Sequence, residues 1–220
     1  YSTMINHKPS EANFYIIDFG SEKFKKFSKA PHIGEVLTLF DKQKITYLLY
    51  MIDSEIKKRQ KYYSQNGGSF EMDIKSGKCV FSNIIIIIYG FETFKENFDE
   101  LYDGLFNTLT RNCSKFGVTF IITFTSSEYS SIISNNFPQK ILLNMADDSD
   151  NNMYFSGDIP TLSRIAGRGL IEINNQCLEY QTAMITEEEQ ELTVLNNVIK
   201  KLNEIFSDKV PTVPFVPKRL

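Results

Sequence analysis

The sequence predicts an α/β fold with a mostly parallel sheet and helices on both faces. Short apolar runs alternate along the chain with longer segments of helical periodicity. One of these runs, Asn83–Ile88, contains five consecutive isoleucines and is apolar on both faces. Such a run is typical of a central strand that is covered on two sides. Strands that are joined by helices lie parallel in one sheet, with right-handed crossovers.

The first third of the chain supplies a strand and a long helix. Phe14–Phe19 is a compact apolar run that Gly20 ends, so we expect a buried strand there. Asp41–Asn66 follows helical spacing, with Asp41 as the capping residue at its start and Gly67-Gly68 at its end. Its predicted buried positions are Ile45, Leu48, Leu49, Ile52 and Ile56.

Further helices and strands alternate after the isoleucine run. Lys95–Phe116 reads as one helix that Gly117 stops, and Val118–Phe124 as the next strand. We expect a short helix over Glu128–Asn136 and another strand over Lys140–Asn144. The apolar positions of the longer helix are Phe98, Leu101, Tyr102, Leu105, Phe106 and Leu109.

The last part of the chain changes pattern. Gly169–Ile173 and Leu178–Thr182 predict a hairpin around the polar turn Asn174-Asn175. A final helix begins at Thr186, because Thr186 and Glu189 have the spacing of a capping box. Its predicted buried stripe is Leu192, Leu195, Val198, Ile199, Leu202 and Ile205.

Size and composition indicate one domain. With 220 residues and 42% hydrophobic content, the chain can bury a sizeable core. We assign residues 1–207 to one α/β domain and residues 208–220, which are rich in proline, to a linker that leads to a following domain. The longest apolar run, Ile84–Ile88, is far too short to cross a bilayer. Any membrane anchor is therefore expected elsewhere in a longer protein.

Charge and cysteine content argue against several classes of site. The net charge of −3 disfavours nucleic-acid binding, which depends on a concentrated basic surface. Cys79, Cys113 and Cys177 are widely spaced, and the chain has only two histidines. This pattern argues against a zinc site and a disulfide framework, so we expect no metal and inert, buried thiols. Asp147–Asp150 lacks the glycine and glutamate of a calcium loop.

The residues after the isoleucine strand do not fit nucleotide hydrolysis. In α/β nucleotide hydrolases, such a strand delivers two acids, one for Mg²⁺ and one that positions water. Here the strand runs into Tyr89-Gly90, and neither residue has a side chain that binds metal or accepts a proton. Glu92 is the nearest carboxylate, and it is either a catalytic substitute or a residue of the helix start.

The phosphate-binding loop G-x-x-x-x-G-K-[ST] is also absent from the sequence. Gly77-Lys78 is no match, because Cys79 lacks the required hydroxyl and Met72 occupies the position of the first glycine. We therefore predict no catalytic residue and no bound cofactor for residues 1–220.

Several polar residues are weaker candidates. Thr123 and Thr125 follow a strand at its carboxyl end, where a hydroxyl can sense a phosphate or simply form a turn. Asp18 ends its strand beside Gly20, and we assign it to turn stabilisation. Three arginines can reach a neighbour's nucleotide or form ordinary surface pairs: Arg111, Arg164 and Arg168.

Nine short segments occur in an order and spacing that resemble a known family. The segments are Phe14–Gly20, Ala30–Gly34, Ile56–Arg59, Gly67-Gly68, Phe91–Phe94, Leu109–Arg111, Lys115–Gly117, Asn135–Phe137 and Gly167–Gly169. Together they resemble the FtsK/SpoIIIE-type ATPase modules of EssC/EccC, the motor of type VII secretion. The resemblance runs from about Asn13 to Thr182, and no single segment is specific.

The resemblance implies a RecA-like P-loop fold in one of several tandem ATPase modules. It favours the middle module, with the last module as the alternative, and it implies degenerate Walker motifs with Tyr89, Gly90 and Glu92 at the Walker B position. It also places the phosphate-loop strand upstream of Tyr1, so the sheet lacks that strand, and ATP with Mg²⁺ belongs to the intact protein. Implied partners are neighbouring modules and secreted WXG100-type proteins, on the cytoplasmic side of a bacterial membrane.

Three functions follow as hypotheses. The first is a non-hydrolysing regulatory or substrate-engaging module of the secretion motor. The second is a weakly active ATPase in which Glu92 or a neighbour's residues position water. The third, by wider family analogy, is a DNA translocase module.

Overall fold

The computed structural model describes residues 1–20, 22–78, 80–125, 135–143, 154–155, 159–163, 165–174, 176–184, 186, 190–206 and 216. The chain forms two compact units. The first comprises Tyr1–Phe124 and Leu195–Leu220, and the second comprises Thr125–Val194. Arg164, Glu189 and Asp147–Asp150, which the sequence singled out, lie outside the described residues.

The first unit is built on a four-stranded parallel sheet with the order β2-β1-β3-β4. Its strands are β1 (Ala12–Asp18), β2 (Ile33–Leu37), β3 (Asn83–Tyr89) and β4 (Val118–Thr123). The isoleucine strand β3 pairs with β1 on one side and β4 on the other, so its predicted interior position is confirmed.

The two faces of β3 are buried to different extents. Ile85 and Ile87 are half-buried, whereas the alternate residues on the other face are fully buried. That other face packs against an aromatic layer, in which the rings of Phe106 and Phe120 meet edge-to-face at 5.4 Å. The fully buried set is Ile84, Ile86 and Ile88. The second face of β3 is therefore covered less completely than its five isoleucines suggest.

Three helices lie between the N-terminus and β3: α1 (Ser2–Asn6), α2 (Lys42–Asn66) and α3 (Phe70–Lys75). The predicted long helix is confirmed as α2, and Gly67 ends it with a positive φ of 69°. Asp41 is the N-cap residue of α2, as predicted, but its side chain forms no capping hydrogen bond to that helix. Its carboxylate instead accepts hydrogen bonds from the amide and hydroxyl of Thr38, which closes the short 3₁₀ turn Leu39–Asp41.

The segment after β3 is not the single helix that the periodicity predicted. It consists of α4 (Phe91–Asn97), α5 (Asp99–Leu101), a π-helical turn (Tyr102–Phe106), α6 (Asn107–Asn112) and a 3₁₀ turn (Cys113–Phe116). The helix breaks at Phe98, whose φ of −136° and ψ of 39° are not helical. The ring of Phe98 stacks on Phe94 at 5.3 Å and contacts Phe19 at 6.1 Å. Packing of this ring into the core accompanies the break.

The second unit contains a three-stranded antiparallel sheet with the order β5-β6-β7. Its strands are β5 (Ile141–Leu143), β6 (Arg168–Ile173) and β7 (Gln176–Gln181). The predicted hairpin is confirmed, with Asn174 in the left-handed region at φ 52°. The strand predicted near Lys140 exists as β5, but it pairs with β6 and not with the parallel sheet, which corrects the single-sheet prediction. Of the predicted helix Glu128–Asn136, only Asn135 and Asn136 are described, and both are helical.

The last helix, α7 (Glu191–Phe206), begins later than the predicted start at Thr186. Leu195, Ile199 and Leu202 form its buried stripe and pack with Met4 and Ala30. The prediction is wrong for Leu192 and Ile205, which are exposed. Beyond α7 only Val216 is described, so the linker assigned to residues 208–220 stays a prediction. No helix among the described residues is long and apolar enough to cross a membrane.

Candidate functional site

The candidate site lies at the carboxyl edge of the parallel sheet, where β1, β3 and β4 end side by side. Asp18 pairs in register with Tyr89, and Tyr89 pairs with Thr123. Ligand sites of open α/β sheets form at this edge, outside the carboxyl ends of the strands. The structure thus brings together the predicted Walker B position and one of the two predicted sensor threonines.

Tyr89 is 37% exposed, and its ring packs on the loop at this edge of the sheet. A Cβ atom on Gly20 would lie 2.1 Å from Cε1 of Tyr89, so the ring lies directly over this glycine. The ring also meets Phe24 edge-to-face at 5.6 Å. Such aromatic pairs add about 1 kcal/mol beyond the area they bury. The position where an acid is needed for metal binding is therefore occupied by a packed aromatic ring.

Gly90 links the end of β3 to α4 and to β4. Its φ of 82° lies in the left-handed region, which favours glycine. A Cβ atom at this position would lie 3.3 Å from Cβ of Phe19. The Gly90 amide donates a hydrogen bond to the Thr123 hydroxyl at 3.2 Å. In this arrangement Thr123 accepts a hydrogen bond from the protein backbone at the place where the sequence predicted a phosphate sensor.

Asp18 is the buried carboxylate at this edge, and both of its oxygens accept hydrogen bonds from backbone amides. Oδ1 accepts from Gly20 at 3.0 Å, and Oδ2 accepts from Phe24 at 3.1 Å. These bonds hold the loop that places Gly20 under Tyr89. The turn-stabilising role assigned to Asp18 is confirmed, although no local pattern predicts Phe24, six residues away, as its second partner.

Glu92 and Thr125 are less closely tied to the site. Glu92 is half-buried in the first turn of α4, where a negative charge interacts favourably with the helix dipole. It has interactions with other groups of the chain, as Thr125 also does. Thr125 is exposed and belongs to the second unit. The catalytic and sensor roles of these two residues stay predictions.

The segment that superficially resembles a phosphate loop has a different local structure. Gly77 follows the end of α3 at φ 70°, and the amides of Gly77 and Lys78 donate to Ile74 and Asp73 of that helix. These bonds end a helix in the usual way and present no amide cradle to a phosphate. Within the described ranges, no three His, Cys, Asp or Glu side chains cluster closely enough to hold a metal ion.

The comparisons with known proteins agree with this architecture. No protein-family model matches the sequence. The type VII secretion system protein EssC of Staphylococcus aureus strain MRSA252 is 23% identical over 222 residues, which are 98% of this chain and 15% of the relative. The ESX secretion system protein EccC of Thermomonospora curvata is 21% identical over 179 residues, covering 77% of this chain and 13% of the relative.

Two solved structures show the same fold. EssC (ATPases 2 and 3) from Geobacillus thermodenitrificans matches with a TM-score of 0.83 at 23% identity, over 100% of this chain and 43% of that one. Thermomonospora curvata EccC (ATPases 2 and 3), in complex with a signal sequence peptide, matches with a TM-score of 0.79 at 20% identity. The match covers 98% of this chain and 40% of that one. The chain is homologous to the EssC/EccC ATPases of type VII secretion. Its α/β fold is that of their ATPase domains, and it spans 15% of the EssC length.

The two candidate arginines that the structure describes, Arg111 and Arg168, lie on different elements. Arg111 is exposed on the last turn of α6. Arg168 opens β6, where its guanidinium donates to Gln181 at 2.8 Å and pairs with Glu179 at 3.2 Å. The pairs give Arg168 a role within the hairpin. Contact with a neighbour's nucleotide stays a prediction for both arginines.

The described cysteines of the EssC/EccC-like domain are free thiols. Cys113 is buried, and burial raises the pKa of its thiol to about 11. A thiol with such a pKa is a poor nucleophile at neutral pH. The expected burial is confirmed for Cys113, whereas Cys177 is half-buried, and the lack of reactivity stays a prediction.

Proposed function

We propose that the chain is an ATPase-like module of a type VII secretion motor that does not hydrolyse ATP with its own residues. One observation carries this proposal: β3, an interior strand of the sheet, ends in Tyr89-Gly90 where a hydrolase needs two acids. The homology to EssC and EccC supports the assignment to secretion, and the geometry at the end of β3 supports the lack of hydrolysis.

The carboxylate of Asp18 and the hydroxyl of Thr123, which lie beside the end of β3, already have hydrogen-bond partners within the chain. Phosphoryl transfer needs a carboxylate to hold Mg²⁺ and a base or polar group to position water. Both oxygens of Asp18 accept amide hydrogen bonds, and the Thr123 hydroxyl accepts from Gly90. These hydrogen bonds hold both side chains in the loop structure at this edge of the sheet.

The wider setting of the module is part of the same proposal. We assign the chain to the middle ATPase module, with the last as the alternative, and residues 208–220 to the connection with a following domain. ATP and Mg²⁺ are proposed as ligands of the intact protein. WXG100-type proteins are the proposed cargo. One related solved structure is the cytoplasmic domain of EssC, so we place this module on the cytoplasmic side of the membrane, tethered through another part of the protein.

An exposed apolar surface supports docking against neighbouring modules. In the antiparallel sheet, residues opposite one another in register share a face. One face of this sheet carries Ile141, Leu143, Ile171, Ile173, Leu178 and Tyr180. Four of these side chains, Ile141, Leu143, Ile173 and Leu178, are between 43% and 59% exposed. Contiguous apolar surface of this kind marks interaction sites. We propose that neighbouring ATPase modules bind to this face.

ATP turnover of the intact secretion protein tests the proposal. We expect Glu92→Gln to leave turnover unchanged, because no residue at the end of β3 completes a hydrolytic site. Glu71→Gln is the matched control, since Glu71 is an exposed carboxylate on α3. A selective loss of turnover in the Glu92 variant, with an unchanged melting temperature, would overturn the proposal and establish the second hypothesis.

The two other functions have less support. Catalysis through Glu92 rests on its position two residues after Gly90, but helix-start interactions account for that position equally well. DNA translocation rests on family analogy, and the net charge of −3 does not favour it.

A further inference from the structure

A groove of about 830 Å³ lies between α2 and the interrupted helix that follows β3. Its walls are formed by α2 and by residues 96–105, all within the first unit. Grooves of this volume are typical of ligand-binding sites. The groove includes the break at Phe98 and part of the π-helical turn, and such irregular turns are frequent at functional sites.

Three carboxylates line the groove within five consecutive residues: Glu96, Asp99 and Glu100. All three are exposed, and none forms an ion pair with another described residue. No lysine or arginine lines the groove. Lys42 lies beside it, where its ammonium donates to Asn97 at 2.9 Å. Asp99 and Glu100 lie in the first turn of α5, where the helix dipole favours negative charge, and with Glu96 they make the groove surface acidic.

Apolar side chains line the groove between these charges. Leu101 and Leu105 are four residues apart and half-buried, and Tyr50 on α2 is exposed. An apolar surface beside unpaired acids has the character of an interface for a partner with the opposite charge and a matching apolar stripe.

We propose that this groove binds a short amphipathic helix that carries lysine or arginine beside leucine-like side chains. The lining segment of residues 96–105 suits a partner of about three helical turns, or roughly 11 residues. A second copy of this chain is a poorer occupant, because a net charge of −3 repels its own acidic groove. This inference needs no nucleotide site and does not depend on the proposed lack of hydrolysis.

The probe is a fluorescein-labelled 14-residue helical peptide of leucine and lysine, compared with a leucine–glutamate peptide of the same apolar pattern. Fluorescence anisotropy gives the Kd at low and high salt. We expect the lysine peptide to bind and to lose about tenfold in affinity from 50 to 300 mM salt. We expect no binding of the glutamate peptide. Equal binding of both peptides would overturn the proposal.

Matched variants locate the binding site. Glu96→Gln/Asp99→Asn/Glu100→Gln removes the three groove charges and is expected to weaken lysine-peptide binding about tenfold. Glu22→Gln/Glu71→Gln/Glu204→Gln makes the same change in net charge at exposed residues that do not line the groove, and is expected to change the Kd less than about twofold. If both triple variants lose the same affinity for the lysine peptide, or if the groove variant loses none, the peptide does not bind in this groove.

A further variant tests the apolar surface, and sedimentation tests self-association. Leu105→Ser should weaken binding about tenfold through lost apolar contact. Circular dichroism confirms that each variant folds, and the three acid substitutions preserve the fold because their side chains are exposed and form no ion pair. If sedimentation shows a dimer that the groove variant dissociates, the occupant is a second copy and the proposal fails.

Discussion

At the scale of single residues, Arg59 shows how a buried charge can be held in the core. Its side chain is 1% exposed, and its Nε donates to Glu55 at 3.0 Å. Its Nη1 donates to the carbonyl oxygens of Phe116 at 2.7 Å and Gly117 at 3.3 Å. Burial lowers the pKa of Arg59, and the bond to Glu55 opposes this shift. Arg59 thus ties α2 to the turn that precedes β4.

Replacing Arg59 by methionine is expected to lower the free energy of unfolding by about 3 kcal/mol, because two buried carbonyls lose their donor and Glu55 loses its buried partner. Lys58→Met is the matched control. Lys58 also pairs with Glu55, at 3.1 Å, but its side chain is 66% exposed. We expect the control to cost less than about 1 kcal/mol. Urea unfolding measures the free energy of unfolding of both variants. Similar decreases in the two variants would contradict the prediction.

His32 gives stability a dependence on pH. Its ring is buried, and Nε2 lies 2.7 Å from the carbonyl oxygen of His7, which can only accept a hydrogen bond. Nε2 therefore carries the proton, and the buried Nδ1 has no hydrogen-bond partner among the described residues. Burial lowers the pKa of His32 below 6.5.

Because the folded pKa of His32 is lower than the unfolded pKa, the unfolded state takes up the proton first as pH falls. Stability is full above about pH 6.5 and decreases as pH drops from 6.5 through the lower folded value. His32→Gln keeps a donor for His7 but does not titrate. Urea unfolding at pH 7.5 and 5.5 should show a smaller decrease in the free energy of unfolding for the variant than for the unchanged chain. An identical decrease would show that groups other than His32 cause the pH dependence.

At the scale of elements, α7 shows what periodicity does and does not predict. The spacing of its apolar residues predicted a helix, and the helix exists. Periodicity alone assigned six residues to one stripe, whereas contact with α1 and the residues before β2 selects a narrower set. Leu195 is 0% exposed and Leu192 is 59% exposed, although both fit the pattern.

This difference predicts unequal costs for two similar substitutions in α7. Leu195→Ala removes a side chain from the cluster with Met4 and Ala30, and is expected to cost about 3 kcal/mol through lost burial and a cavity. Leu192→Ala removes an exposed side chain and should cost less than about 0.5 kcal/mol. Thermal unfolding of the two variants is the measurement. Equal shifts in melting temperature would show that Leu192 is covered in solution.

The segment after β3 marks a second limit of periodicity. Helical spacing from Phe98 to Leu109 was correct as a guide to helical structure but missed the break at Phe98 and the π-helical turn. These irregularities accompany the packing of Phe98 with Phe19, a residue far away in sequence. Local pattern carries no information about such a contact.

At the scale of the whole molecule, the order of strands was the least predictable feature. The five isoleucines placed β3 inside a sheet, because a strand that is apolar on every residue is typical of a sheet covered on both faces. No local signal showed that β5 pairs with β6 instead of the parallel sheet. At the candidate site, the absence of acids after β3 could be read from sequence. The stacking of Tyr89 over Gly20 could not, because it depends on the loop that Asp18 holds.

The exposed face of the antiparallel sheet leads to a prediction about assembly. Leu178 is 43% exposed on this face, whereas Leu170 is 0% exposed on the opposite face. Leu178→Lys places its charge in water and is expected to change the melting temperature of the chain by less than about 2 °C. Leu170→Lys buries a charge. It should either unfold the second unit or lower its free energy of unfolding by more than about 3 kcal/mol.

In the intact secretion protein, Leu178→Lys is expected to weaken the contact between modules, because a lysine on an apolar interface must lose its hydration. Cross-linking between adjacent modules measures this contact, and secretion of the exported protein measures its consequence. The same variant in the isolated chain serves as the control for folding. If Leu178→Lys lowers the melting temperature of the isolated chain as strongly as Leu170→Lys, the face is covered within the chain. If it leaves cross-linking unchanged, the modules meet through another surface.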